Sequence, residues 1–327
     1  MLNFCTLFDS NYLTRGLVMY ESLRQHCHDF HLYIFPFDST SYNILESLKL
    51  ENVTLIPLSE FENEELLRVK STRTNAEYCW TATSSTILYV LEKFKAPDCT
   101  YIDADLFFYS NPKVLIDEMG NNSILITEHH YSPEYVKSLI FGKYCVQFIT
   151  FRSDVNGLTA LRWWRKACIE WCYNREEDRK FGDQKYLDDW TQRFEGVHDL
   201  QHFGGGVAPW NVQQYEFQSS NEKFIGKEKS SGKVFDLVFY HFHYVRTYNN
   251  GTVDLGNFIL SDDVIKLFYR PYLRLLEEKK QSFVSLYSEI KLSGQTELPS
   301  DFRSQLINVK RRLKGNYNVY SLNSLLQ

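Results

Sequence analysis

The chain has 327 residues and a formal net charge of −5 at pH 7, and its 16% aromatic content stands beside only 15 Gly and 8 Pro. A chain so rich in rings and so poor in breakers can bury a large core, which excludes disorder, collagen-like repeats and low-complexity linker. With 36 basic residues against 41 acidic ones, whole-chain electrostatics argue against a nucleic-acid partner, and no apolar run approaches the roughly 18 residues of a membrane span.

The start, Met1-Leu2-Asn3-Phe4-Cys5, lacks a basic region, an apolar stretch and a cleavage site, and reads as a first strand. Seven scattered cysteines (Cys5, Cys27, Cys79, Cys99, Cys145, Cys168, Cys172) are then expected to be reduced thiols of a cytoplasmic protein. Residues 3–8 form an apolar run, Asp9-Ser10-Asn11 offers a helix cap, and Leu13, Leu17, Tyr20 and Leu23 follow at helical spacing. A strand at 32–35, a short helix at 42–50 and a strand at 53–58 complete β-α-β-α-β, the pattern of a parallel sheet covered on both faces. A helix is expected over 84–95, feeding the strand Thr100-Tyr101-Ile102. The second half reads as mixed: a strand at 146–151, a helix over 158–172, and strands near 197–200, 212–218 and 236–243. From Asp262 onward the pattern is helical, so a catalytic α/β domain over 1–260 and a helical C-terminal extension over 261–327 are expected.

Five constellations carry chemistry. Asp103-Ala104-Asp105 follows a buried strand; in extended backbone residues i and i+2 face one side, where two carboxylates can hold Mg²⁺ or Mn²⁺, and the apolar flanks favour that reading over a solvated turn. Tyr240-His241-Phe242-His243 puts two imidazoles on one side of an extended segment, as metal ligands or as hydrogen-bonded histidines at a core edge. Asp183-Gln184 sets a carboxylate beside an amide, suited to a sugar or to a helix cap. Gly204-Gly205-Gly206, in a Gly-poor chain, marks a close backbone approach or a tight turn, and fits neither a dinucleotide fingerprint nor a Walker loop. Thr6 to Tyr12, including Phe8 and Asp9, joins the first strand to the first helix at the sheet's carboxyl edge, where ligands of open parallel sheets bind; Tyr12 could stack on a base or pack in the helix core.

These pieces in this order resemble a GT-A glycosyltransferase, and most resemble glycosyltransferase family 8, the retaining group that includes glycogenin and bacterial lipopolysaccharide galactosyltransferases. The resemblance covers roughly residues 3–250. Thr6 to Tyr12 resembles the loop that holds the nucleotide base, Tyr101-Ile102-Asp103-Ala104-Asp105 the metal-binding stretch, Asp183-Gln184 with Leu187 the motif beside the sugar, and His241-Phe242 the late His-Phe that completes the metal site. The chain departs from the family at Cys145 and Gln147, where an Asn-x-Gly pair is usual, and at Tyr244-Val245-Arg246, where a Gly-x-x-Lys-Pro-Trp is usual.

The resemblance implies an α/β fold of GT-A (Rossmann-like) type with a mixed, mainly parallel central sheet. It implies transfer of a sugar from a nucleotide diphosphate, UDP above all, to a glycan or lipid-linked acceptor in bacterial surface-polysaccharide synthesis. Asp103, Asp105, His241 and His243 are then the candidate metal ligands for Mn²⁺ or Mg²⁺. Thr6, Phe8, Asp9, Tyr12, Asp103, Ala104 and Asp105 would bind the donor, with Arg73 or Arg246 on its diphosphate. Asp183 and Gln184 would orient the reacting sugar, and Trp80, Trp210 and Tyr186 would contact the acceptor. The rivals are a sugar nucleotidyltransferase, which needs a basic Gly-rich loop after the first strand, and a carbohydrate- or nucleotide-sugar-binding protein without catalysis. Lys310-Arg311-Arg312-Leu313-Lys314 reads as a solvated helix face or as a peripheral contact with the inner face of the membrane.

Overall fold

A computed structural model of the chain describes residues 1–220, 223–284 and 294–327. Sixteen strands are described, in chain order β1 (Leu2–Phe8), β2 (Phe30–Pro36), β3 (Val53–Leu55), β4 (Asp98–Ile102), β5 (Leu106–Phe108), β6 (Ile124–Glu128), β7 (Tyr144–Arg152), β8 (Val197–Asp199), β9 (Gly205–Val207), β10 (Tyr215–Ser220), β11 (Lys223–Glu228), β12 (Val234–Asp236), β13 (Phe239–His241), β14 (Arg246–Thr247), β15 (Thr252–Asp254) and β16 (Val319–Ser321). The helices used below are α1 (Leu13–His26), α2 (Ser39–Leu48), α3 (Asn75–Lys93), α4 (Val155–Glu170), α5 (Arg270–Val284) and α6 (Phe302–Leu313).

The central sheet has seven strands in the order β3-β2-β1-β4-β7-β6-β8. Its first four strands are parallel, as the buried apolar runs predict. β7 inserts antiparallel between β4 and β6, and β8 returns parallel to β6, so the sheet is mixed and mainly parallel. One core, built around α3 and α4 with Trp164 and Trp190, covers one face. A second, around α1 and α2 with Phe4, Leu17 and Phe148, covers the other.

Local chemistry sets the helix starts. α3 begins nine residues before the expected 84, because Thr74 and Glu77 form a capping box, each side chain bonding the other's backbone N–H. Asp154 caps α4 and Asp38 caps α2 through their carboxylates. Asp9 caps not α1 itself but a single 3-10 turn, Ser10–Tyr12, that leads into it. This turn lifts Tyr12 out of the helix face, and the residue is 42% exposed, so the helix-core alternative for Tyr12 is set aside.

Beyond 260 the described chain is mainly helical, passing through a π-helical turn at Ile265–Tyr269 into α5 and then α6, but a strand, β16, interrupts it by pairing antiparallel with β15 before a last helical turn at Leu322–Leu326. Residues 285–293, inside the expected helical stretch, lie outside the described residues. Ile265, Phe268, Tyr269, Tyr272 and Leu273 bury against Tyr240, Phe242, Val253 and Leu255 in a third core beneath β13. That core backs the segment that carries His241.

Candidate metal and donor site

The site forms where four separate stretches converge at the carboxyl edge of β4. Asp103-Ala104-Asp105 is not extended. The chain turns there, with Leu106 N–H donating to the Asp103 carbonyl at 3.3 Å, and the carboxylates converge through this turn rather than through strand alternation. β5 then pairs antiparallel with β13, placing His241 opposite Leu106, and Phe242 N–H donates to the Asp105 carbonyl at 2.9 Å. The register of a three-stranded side sheet, β5-β13-β9, therefore brings the imidazole to the carboxylates. His241 Nε2 lies 3.1 Å from Asp105 Oδ1 and 3.7 Å from Asp103 Oδ2. Among the described residues Asp103, Asp105 and His241 form a group whose ligand atoms all lie within 4.8 Å of one another. Two carboxylates and one imidazole suit Mn²⁺ or Mg²⁺.

The electrostatics follow from burial and from these contacts. Desolvation raises Asp103, outweighing the nearby His241, and Asp105 adds to the rise. Desolvation works against Asp105 too, but the imidazole of His241 overcomes it and holds this carboxyl below its ordinary value. His241, desolvated yet facing Asp105, is raised well above the usual imidazole range. The three groups act as one pair of opposite charges with a second carboxylate beside it, the charge arrangement that a divalent cation can replace.

Gln147 was not singled out as a site residue by its sequence. It sits on β7, and its backbone carbonyl accepts from Asp103 N–H at 3.0 Å, extending the β4–β7 ladder. Its side-chain oxygen lies 2.6 Å from His241 Nδ1. Once a cation displaces the Nε2 proton, an N–H at Nδ1 leaves Nε2 with its lone pair toward the carboxylates, the orientation a metal ligand needs. The departure from Asn-x-Gly at this place was the available signal. Gln147→Leu is expected to weaken Mn²⁺ binding about 10–100-fold, measured by titration of the free ion, whereas Gln147→Glu, which keeps an acceptor, should lose less. Equal affinity in Gln147→Leu would show that the bond orients nothing. Tyr101, whose hydroxyl donates to Asp103 Oδ1 at 3.0 Å, holds the other flank.

Arg15 is the second residue that sequence reasoning missed. It looks like one more polar position on α1, yet it is buried. It donates to the Asn11 carbonyl at 3.2 Å and the Val245 carbonyl at 2.7 Å, and it lies 4.6 Å from the centre of the Tyr12 ring. The Tyr12 hydroxyl is pushed up to about 12, by desolvation first and then by Asp105, while Arg15 and Arg246 act the other way. Tyr12, Arg15 and Arg246 thus share the electrostatic neighbourhood of the carboxylates.

Asp183 joins from the loop before Leu187. It is buried and pushed up to about 8, by desolvation first and then by Asp103. Gln184 follows it in the chain and is half-buried, its amide donating to the Phe141 carbonyl at 2.9 Å. Trp80 packs over Gly182, next to Phe181. Thr6 is buried, with its hydroxyl unpartnered, and Asp9 is taken up with Asn11.

Other expected residues are placed elsewhere. Phe8 is a core ring under Gly16 and presents no face to a ligand. Arg73 stacks 3.8 Å from the centre of the Tyr173 ring and reaches the Ile169 carbonyl, tying α3 to the end of α4. Tyr186 spends its hydroxyl on the Ala167 and Trp171 carbonyls. Trp210 is buried, donates to the His129 carbonyl at 2.9 Å and meets the His241 ring edge-on at 5.3 Å, so it supports the imidazole instead of offering a platform to a sugar. His243 is exposed, 5.6 Å between ring centres from His241, and stands outside the three-ligand group. The three glycines answer to protein, not ligand: Gly206 has φ +148°, and a Cβ there would lie 3.3 Å from the Gln147 amide nitrogen.

No protein-family model matches the chain. It is 31% identical over 295 residues to a Bacillus subtilis (strain 168) protein named uncharacterized protein YfnD, spanning 86% of this chain and 92% of that one. It is 32% identical over 247 residues to uncharacterized protein YfnF of the same strain, spanning 73% and 80%. Its fold is similar to that of the galactosyltransferase LgtC crystallised with donor and acceptor sugar analogs, with a TM-score of 0.53 and 11% identity over 85% of this chain and 96% of that one. The chain thus has a GT-A fold, and by sequence it belongs to one family with YfnD and YfnF of Bacillus subtilis.

Proposed function

We propose that this protein is a metal-dependent glycosyltransferase that moves a sugar from a UDP-sugar to a glycan or lipid-linked acceptor, acting in the cytoplasm in the synthesis of a bacterial surface polysaccharide. The observation that carries the reading is the Asp103–Asp105–His241 group at the carboxyl edge of β4, beside Tyr12 and Asp183. The donor set fits Mn²⁺ or Mg²⁺, which when bound would act as a Lewis acid on the departing diphosphate. Asp103, Asp105 and His241 would hold the ion, and Gln147 would keep the imidazole aimed at it.

The remaining residues act directly on the substrates. Tyr12 offers an exposed ring to the base, and Arg15 and Arg246 bring positive charge near the diphosphate. Asp183, pushed up to about 8 chiefly by burial, can in its protonated form donate a hydrogen bond to a sugar hydroxyl, and it is a poor nucleophile in that form. In the retaining reaction that the family 8 resemblance implies, no covalent intermediate then forms on Asp183, and the bond from the anomeric carbon to the diphosphate breaks with its electrons leaving on the phosphate oxygen. The acceptor oxygen then bonds on the same face and its proton passes to that phosphate. Gln184, next to Asp183 in the chain, would line the sugar.

UDP at a hundredfold excess over its Kd is expected to stabilise the full chain by about 2.7 kcal/mol in Mn²⁺, with no such gain after chelation. A UDP-sugar should be hydrolysed slowly under the same conditions. Stabilisation by UDP without any hydrolysis or transfer across a panel of UDP-sugars would support a binding protein instead, and no stabilisation by any nucleotide would remove the reading.

A further inference from the structure

α6 is built inside out. A surface helix of a globular protein normally turns its apolar stripe inward. Here the least exposed positions are Ser304, Asn308 and Arg311, and Arg311 is locked inside by Asp254, with contacts of 2.8 and 2.6 Å. The opposite face presents Phe302, Leu306, Val309 and Leu313, which are 75%, 54%, 55% and 84% exposed. Their spacing of four, three and four makes one continuous stripe along the helix. Arg303, Lys310, Arg312 and Lys314 are all exposed beside it.

We propose that this stripe lies in the interface of an anionic lipid surface, with the flanking cations reaching the headgroups. Charge argues for that occupant. Residues 302–327 carry five basic and no acidic side chains, whereas residues 1–301 carry 31 basic and 41 acidic ones. The cations stand where the apolar and polar faces meet, the place from which Lys and Arg stems extend along apolar surface and leave their heads in water. A second copy of the chain fits less well, because a stable protein interface needs about 1,000 Å² or more and this helix is only about 18 Å long. The sequence pointed to the whole run Lys310-Arg311-Arg312-Leu313-Lys314. The structure removes Arg311 from it and adds the apolar stripe, which no run of charges reveals. The inference does not depend on the catalytic reading.

The test is sedimentation of the full chain with vesicles of phosphatidylcholine and phosphatidylglycerol, against vesicles of phosphatidylcholine alone. Binding is expected to the mixed vesicles and to weaken with salt. Leu306→Ser with Val309→Ser should weaken it at least about tenfold. Lys310→Gln with Arg312→Gln should weaken it about fivefold per cation removed. Both variants should keep the wild-type unfolding midpoint, since the altered side chains are exposed. Absence of binding to the mixed vesicles would overturn the proposal, as would unchanged binding by the Leu306 and Val309 variant. A dimer that this variant dissolves, in a chain that ignores vesicles, would assign the stripe to a second copy and would equally overturn it.

Discussion

Asp105→Ala is expected to lower Mn²⁺-dependent hydrolysis or transfer from a UDP-sugar by about 1,000-fold in kcat/KM, because metal stabilisation of leaving-group charge contributes several kcal/mol. The carboxylate is central to the site: it faces His241 Nε2 at 3.1 Å, and its own backbone carbonyl receives Phe242 N–H. The backbone contact survives truncation, so the β5–β13 pairing should persist and the loss should be chemical. Two readouts separate those possibilities. Free-ion titration should show weakened Mn²⁺ binding, and the unfolding midpoint of the metal-free protein should move far less than activity does. Full Mn²⁺-dependent activity in this variant would remove Asp105 from the metal site.

Arg311→Met is expected to destabilise the protein by about 3–5 kcal/mol, the usual consequence of leaving one member of a buried ion pair without its partner. The guanidinium makes two parallel bonds to Asp254 and a third to the Gly256 carbonyl at 2.8 Å, and both charged groups are buried. Asp254 ends β15, and β15 pairs with β16, so this contact joins α6 to the strands beneath it. Urea unfolding should show a lower midpoint at an unchanged slope. Arg311→Met combined with Asp254→Leu should recover part of the loss, since removing both charges is far less costly than removing one. A change below about 1 kcal/mol in the single variant would show the pair to be no more than a surface contact.

The boundaries of α3 show how far local pattern reaches. Apolar spacing located the helix from its middle onward, but its first nine residues are set by the Thr74–Glu77 capping box, a signal readable in the sequence that the search for apolar periodicity passes over. At Asp103-Ala104-Asp105 the residue types suggested a cation site by way of an extended strand, but a turn and not a strand brings the carboxylates together. Phe8, Tyr186 and Trp210 were legible as aromatic residues near functional motifs, but composition and neighbours in sequence do not say which rings are enclosed. Phe8 and Trp210 are buried and Tyr186 is half-buried, in each case by packing that no local pattern records.

What the sequence determined by itself was the alternation of strands and helices as far as β4, the parallel start of the sheet, and the carboxylate pair at the end of β4, since each rests on periodicity, capping or burial within a few adjacent residues. Tertiary structure alone decided that His241 meets Asp105 while His243 stays outside, that Gln147 holds the imidazole from 94 positions away, that Arg15 sits buried beside Tyr12, and that α6 faces its apolar side outward. These depend on the register of strands that pair across the chain and on which surfaces the third core covers. A side chain's partners and its solvation are properties of that packing, and no local pattern in the sequence records them.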